Sequence, residues 1–399
     1  MDHCTAGLDW ASEAHAICIV DAAGTIRESF SVPHSDTGLQ DLVRRLGRYP
    51  DLDLAIERPD GLLVDTLVDA GIAVVPIHPN KLKAARERYS TSGAKSDTGD
   101  AYVLADLLRT DGHRFRALAP LSEATRALRA LVRSRDDLVK ARVALINQLS
   151  AQLAVFWPGA AAIFASLDSD IALAFLERYP TPERAAHLGE QRLAAFLRRN
   201  GYSGRRPVAA LLARLHAAPR GQVGPVESEA RGACIGALVR TLTVLRPQIA
   251  ALDGAIAGAL AAHPDGPVFQ SFPYAGTVNA AQLLAEIGDV RERFVTDDVL
   301  AMEAGIVPVT KRSGKAKSVG FRWACNKRLR RAITTWADNT RHGSPWAADI
   351  YARARARGAD HPHAVRILAR AWSRVLWRCW QDGVAYDAGR HAGAARIAA

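Results

Sequence analysis

Four carboxylates and one serine are the residues best suited to phosphodiester chemistry. Asp9 is the only acid in the apolar run Ala6-Gly7-Leu8-Asp9-Trp10, where a carboxylate is costly unless it is paired or bound to metal. Glu57 follows a second run, Leu52-Asp53-Leu54-Ala55-Ile56. Asp97 and Asp100, in Lys95-Ser96-Asp97-Thr98-Gly99-Asp100-Ala101, share one face if that segment opens a helix. Four converging carboxylates repel unless divalent cations neutralise them, and hard oxygen donors suit Mg²⁺ or Mn²⁺. Paired ions about 4 Å apart stabilise the attacking and leaving oxygens of a phosphoryl transfer. Each acid alone also has a plain reading: Asp97 and Asp100 as cap and first-turn acid, Glu57 as a solvated strand end. Asp51, Asp53, Asp60 and Asp65 show how common acids are nearby.

Ser313 lies in Lys311-Arg312-Ser313-Gly314-Lys315. Glycine there permits close backbone approach, and flanking cations bind phosphate and ease formation of a serine alkoxide. A Ser-Gly pair in a basic loop is also an ordinary turn, and Ser318 competes for the role. From Glu303 to Arg331 nine cations (Lys311, Arg312, Lys315, Lys317, Arg322, Lys327, Arg328, Arg330, Arg331) face one acid, Glu303. A phosphate backbone is the natural counterpart of such a segment. Upstream, Phe272-Pro273-Tyr274-Ala275-Gly276-Thr277 leads into a helix with Leu283, Leu284 and Ile287 on one side. A glycine turn at a helix N-terminus, here Gly276, is a phosphate seat, or simply a capped helix.

The elements that must position these groups read as follows. Three short apolar runs, Ala6 to Trp10, His15 to Asp21 and Thr25 to Val32, form an antiparallel meander. Helical spacing at Leu39, Leu42, Val43 and Leu46, a strand at Leu52 to Ile56, a helix at Leu62 to Val68 and a strand at Ile72 to Ile77 follow. This order predicts a mixed sheet with helices packed on it; in a meander-plus-crossover sheet the first and fourth strands lie side by side, so Asp9 and Glu57 can meet. After Pro120, Leu131, Leu138 and Leu145 recur in a charged helix opened by Ser122, and a cleaner heptad seam runs through Leu238, Leu242, Leu245, Ile249, Leu252, Ile256 and Ala259. Both seams suit either a coiled coil or a bundle core, and Pro247 should kink the second. Between Pro158 and Gly224 no pattern speaks clearly. A basic loop is expected between Ile306 and Phe321. The stripe Val365, Leu368, Trp372, Val375, Leu376 and Trp380 reads as a core helix that begins near His361.

Composition narrows the classes. The 399 residues exceed what one core usually serves, and 49% hydrophobic with 23% charged residues is ordinary for a globular chain. A net charge of +11 favours polyanionic partners. Five scattered cysteines without a CxxC argue against a disulfide framework or zinc knuckle, and twelve histidines form neither HxxxH nor HExxH. No signal-peptide pattern and no long uninterrupted apolar stretch is found, so a cytoplasmic protein without a membrane span is expected.

Together these motifs resemble the DEDD transposases of the IS110 insertion-sequence family. The resemblance rests on Gly7-Leu8-Asp9, Glu57, Lys95 to Ala101, Pro273-Tyr-Ala-Gly276 with Leu283 to Asp289, Ala304 to Pro308, Arg312-Ser313-Gly314, Asn326 to Ala332 and Trp380 to Asp387. It covers roughly residues 5 to 150 and 265 to 390. It implies a RuvC-like, ribonuclease H-like domain over 1–120, a helical coiled-coil domain with an insertion over 121–264, and a mainly helical transposase domain over 265–399. It further implies that Asp9, Glu57, Asp97 and Asp100 hold Mg²⁺ and that Ser313 is the nucleophile. The implied partners are donor and target DNA, a bridge RNA that pairs with both, and further copies of the chain as a dimer or tetramer. Two departures stand out: the usual Pro-Gly-x-Gly turn carries Tyr274, and Glu57 is followed by Arg58-Pro59-Asp60-Gly61 rather than Ala-x-Gly. Two rivals remain, a metal-dependent structure-selective nuclease with no covalent step and a non-catalytic nucleic-acid-binding protein.

Overall fold

A computed structural model describes residues 3–57, 60–89, 96–219, 221, 223–314 and 316–390. The chain divides into two compact units, Met1–Leu121 and Ser122–Ala399. Lys95 and Lys315 lie outside the described residues.

In the first unit the alternating apolar runs form the expected meander, β1 (Thr5–Asp9), β2 (Ala14–Val20) and β3 (Ile26–Pro33). Helix α1 (Asp36–Leu46), capped by Ser35, leads to β4 (Asp53–Ile56), and α2 (Leu62–Asp69) leads to β5 (Ala73–Pro76). The sheet order is β3-β2-β1-β4-β5, with β1, β4 and β5 parallel. Two more helices, α3 (Pro79–Arg86) and α4 (Asp97–Asp111), complete the unit. Leu39, Leu42, Leu63 and Leu67 of α1 and α2 pack with Leu8, Ile17 and Leu54 on one face of the sheet. Leu82, Val103 and Leu104 of α3 and α4 pack with Ala55 and Val75 on the other.

One residue sets the spacing of α4 on the sheet. A Cβ on Gly7 would lie 2.0 Å from the Ala101 carbonyl oxygen and 2.5 Å from the Ala105 nitrogen, so only bare backbone fits between β1 and α4. Thr5 Oγ1 donates to the Ala105 carbonyl at 3.0 Å. Thr5 thus meets Ala105 while Gly7 meets Ala101, and α4 runs antiparallel to β1 with its N-terminus toward Asp9.

The second unit is organised by two long helices, α5 (Glu123–Phe156) and α10 (Pro225–Ala262). The start of α5 (Leu128, Val132) shares a core with the end of α10 (Ile256, Leu260), whereas Leu149 and Leu153 share another with Ile235 and Val239. The helices are therefore antiparallel. Leu242, Ile249 and Ile256 of the heptad seam are buried, while Leu131, Leu138 and Leu145 are half-buried. Helix α10 continues through Pro247, whose missing N–H deprives the Thr243 carbonyl of its intrahelical donor. By length and composition alone α10 would suffice to cross a membrane, but its apolar seam is used against α5.

The segment without a clear sequence pattern holds α6 (Pro158–Ala162), α7 (Asp170–Arg178), α8 (Glu190–Arg199) and α9 (Val208–Ala217), clustered around Phe175 and the far ends of the long helices. Toward the C-terminus come α11 (Gly266–Gln270), α12 (Gly276–Ile287), α13 (Asp297–Glu303), α14 (Lys327–Thr340), α15 (Pro345–Ala356) and α16 (His361–Asp382). Trp372 and Trp380 are fully buried there, as the C-terminal stripe requires, and so is Trp336 of α14. The basic stretch expected as a loop is instead a hairpin, β6 (Val309–Ser313) with β7 (Ala316–Gly320). Its strands are polar on both faces and so lack the alternation that announces a strand. Gly314, at φ +55°, supplies the tight turn.

Candidate active site

The pairing Leu8↔Ile56 puts Asp9 and Glu57 at the same ends of adjacent parallel strands, which neighbour at about 4.8 Å. Both residues are half-buried. Ser96 caps α4 by accepting from the Gly99 N–H, so Asp97 and Asp100 occupy its first turns, where the helix dipole favours anions. Because α4 is antiparallel to β1, that turn lies at the Asp9 end of the sheet.

The four acids differ in surroundings. Asp97 is exposed, whereas Asp100 is buried and both its oxygens accept from Arg86, Nε at 2.5 Å and Nη2 at 2.6 Å. Among the described residues no three His, Cys, Asp or Glu side chains stand close enough together to hold an ion. The donors suit Mg²⁺ in kind, being hard carboxylate oxygens at one end of one sheet. Asp100 would have to exchange Arg86 for the ion. Nearby, Asp106 accepts from Tyr89, whose hydroxyl is pushed up to about 12 first by burial and then by that hydrogen bond.

The serine stands in a different setting. Ser313 ends β6 opposite Ala316, and every described residue from Thr310 to Gly320 is exposed. Ser318 pairs with Lys311, so the two hydroxyls share a face with Lys311, while Arg312 and Lys317 share the other. At the start of α12, Gly276 is exposed at φ +64° and no side chain caps the helix, leaving its first amides available to an anion. Tyr274, at φ +60°, is 52% exposed and lies over Gly343, where a Cβ would come 1.7 Å from its hydroxyl.

The cations beyond the hairpin divide into two sets. Lys327 is exposed and Arg322 is half-buried. Arg328 donates to Asp136 at 2.7 Å and to Asp137 at 3.0 and 3.1 Å, and Arg331 also pairs with Asp136. Arg328 and Arg331 thus clamp α14 to α5. Cations at a helix N-terminus oppose its dipole, and the Asp136–Asp137 pair offsets that cost. Lys140 and then Arg328 hold the Asp137 carboxyl below its ordinary value by hydrogen bonding. Arg330 donates to the Arg322 carbonyl and lies 4.3 Å over the Phe321 ring.

Beneath them, buried Glu286 accepts two bonds from Arg133, both at 2.9 Å, and one from Asn326 at 2.9 Å. Burial pushes its carboxyl up, but these bonds and the charges of Arg133 and Arg129 outweigh it and hold it below 4.5. Asn326 also caps α14, so one residue ties that helix to α12.

The comparisons decide the family. A family model described as "Transposase" (DEDD_Tnp_IS110) matches residues 6–158, and one described as "Transposase IS116/IS110/IS902 family" matches residues 267–352. The "Mini-circle putative transposase for IS117" of Streptomyces coelicolor is 34% identical over 96% of this chain and 94% of its own length. The chain belongs to the IS110 family of insertion-sequence transposases. The IS110 43.6 kDa protein of the same organism is 30% identical over 97% of the chain, and the IS900 42 kDa protein of Mycobacterium paratuberculosis 28% over 96%.

The first match contains Asp9, Glu57, Asp97 and Asp100 of this transposase, and the second contains Gly276, Ser313 and the basic segment through Arg331. Helices α7 to α10 fall between the two. Sequence reasoning missed Arg86, although it stands in a run of cations, Lys81, Lys83, Arg86 and Arg88. It also missed Glu286, which it read only as part of a helix motif.

Proposed function

We propose that this transposase cuts and rejoins donor and target DNA through a covalent phosphoserine on Ser313. The observation that carries the reading is the placement of Ser313 on an exposed, cation-flanked hairpin while the chain also carries Asp9 and Glu57 at adjacent strand ends. In this reading Ser313 Oγ loses its proton to solvent and bonds to phosphorus as the P–O3′ bond breaks, and the leaving oxygen takes a proton to become a 3′-hydroxyl. A 3′-hydroxyl of the other DNA then attacks the phosphoserine, forming a new P–O3′ bond and restoring the serine, so the bond energy is kept without ATP. Magnesium or manganese held by Asp9, Glu57, Asp97 and Asp100 would neutralise charge on the reacting phosphodiester. Gly276 and Lys311, Arg312, Lys315, Lys317, Arg322 and Lys327 would bind the backbone.

The finer architecture is read as a ribonuclease H-like first unit, a coiled coil of α5 and α10 and a serine-bearing C-terminal part over 265–399. Guidance by a bridge RNA and assembly into a dimer or tetramer belong to the same reading. They are supported by the family resemblance; the +11 charge suits a polyanionic partner, DNA or RNA alike.

The test is a trapping assay with purified protein, element-flanking RNA, labelled donor and target DNA and Mg²⁺, followed by denaturing electrophoresis and peptide mapping. An adduct on Ser313 that is lost in Ser313→Ala supports the reading. Metal-dependent cutting without an adduct turns it into a nuclease, and neither cutting nor adduct leaves binding alone.

A further inference from the structure

Trp323 is 75% exposed, against 52% for Tyr274 and 36% for Trp10. A single exposed apolar side chain needs no explanation, but Trp323 is braced. Its ring meets Phe321 edge to face at 4.8 Å. Phe321 in turn lies under the guanidinium of Arg330 at 4.3 Å and that of Arg366 at 5.0 Å. Arg330 is fixed by its bond to the Arg322 carbonyl. Two cations on separate helices therefore hold one aromatic ring while most of the adjoining indole faces solvent. Exposed aromatics set among cations are the means by which proteins hold unpaired bases, since every base has a π-face and the cations meet the backbone.

The location gives the ligand. Trp323 follows β7, and β6 runs from Val309, paired with Gly320, to Ser313 at the turn. At about 3.4 Å per residue the hairpin is about 14 Å long, or about four stacked nucleotide steps and fewer unstacked ones. Lys311, Arg312 and Lys317 line the way. We propose that Trp323, braced by Phe321, Arg330 and Arg366, is a stacking platform for an unpaired DNA base a few nucleotides from the phosphate that Ser313 attacks. This rests on the proposed function, because the strand presented to Ser313 is the strand that continues toward Trp323.

The experiment compares full-length protein with Trp323→Ala and Trp323→Phe at fixed salt. The probes are a single-stranded DNA, the same sequence as RNA, and the fully paired duplex, with 2-aminopurine placed at successive positions of the DNA. The expected result is a loss of about 5- to 150-fold in single-strand DNA affinity for Trp323→Ala, near wild-type binding for Trp323→Phe, unchanged duplex binding, and quenching of 2-aminopurine at one or two adjacent positions. Wild-type affinity in Trp323→Ala overturns the platform and leaves the transposase reading intact. Loss for RNA but not DNA overturns the choice of ligand. No DNA binding by wild type overturns both readings. If Trp323→Ala is unstable, the wild-type scan decides alone, and a probe unquenched at every position overturns the proposal.

Discussion

Replacing Gly7 by alanine tests whether bare backbone between β1 and α4 holds the acids in register. The new Cβ would stand 2.0 Å from the Ala101 oxygen, 2.5 Å from the Ala105 nitrogen and 2.7 Å from Leu104 Cβ. The first two are backbone atoms, so no side chain can swing aside, and α4 must retreat by about 1.4 Å to reach ordinary contact. Overpacking of this kind costs about 1–3 kcal/mol, and losing the Thr5 to Ala105 bond adds about 1 kcal/mol. The melting transition should fall by several degrees. If the acids serve catalysis, a retreat of that size at the Asp97 end should lower cleavage about 10²-fold below the melting temperature. Thermal melts and a Mg²⁺-dependent strand-cleavage assay read the two effects separately. Gly254→Ala is the control, since a Cβ there meets nothing within 4 Å in the middle of α10; it should gain about 0.5–1 kcal/mol. An unchanged melt in Gly7→Ala refutes the packing argument, and a lowered melt with full cleavage refutes the link between α4 and the acids.

Arg86→Met strips buried Asp100 of its partner and should cost about 2–3 kcal/mol, the exposure of Arg86 lowering the usual figure. Added Mg²⁺ should then raise its melting temperature more than that of wild type, and an equal response means ion and guanidinium do not compete. Glu286 titrates below 4.5 when folded, so its contribution is complete above the unfolded value and is lost as pH falls through the folded one. Melts from about pH 7 to about pH 3 should therefore show a weaker acid limb in Glu286→Gln, and parallel curves would contradict this. Asp136→Asn releases Arg331 while Arg328 keeps its bonds to Asp137, and with one more cation free for phosphates the salt dependence of DNA binding should steepen by up to about 0.9 in log–log slope. An unchanged slope means Arg331 never reaches the DNA.

Much of the first unit was legible because its signals are local. Alternation within β1 to β3 and helical spacing at Leu39 to Leu46 each act over a few residues and mark the elements that bear the acids; that β1 adjoins β4 is a long-range pairing, legible only through the kind of sheet this element order builds, and the cap of α4 is Ser96 rather than Asp97. The stripe of α16 was legible as a local signal too. The β6–β7 hairpin was not, because a strand exposed on both faces carries no hydrophobic period.

Ion pairing was also beyond local reach. Arg86 meets Asp100 across 14 residues and Arg328 meets Asp136 across 192, and nothing in either neighbourhood selects the partner. The sequence by itself determined which acids, cations and serine the chain carries and which elements bear them. Only the tertiary structure decided that Arg328 and Arg331 are spent on holding helices together, that Asp100 is already neutralised, and that Trp323 stands braced in solvent. The reason is physical: propensity and periodicity act along the chain, whereas the energy of a charge or an aromatic face depends on what packing brings within a few ångströms of it.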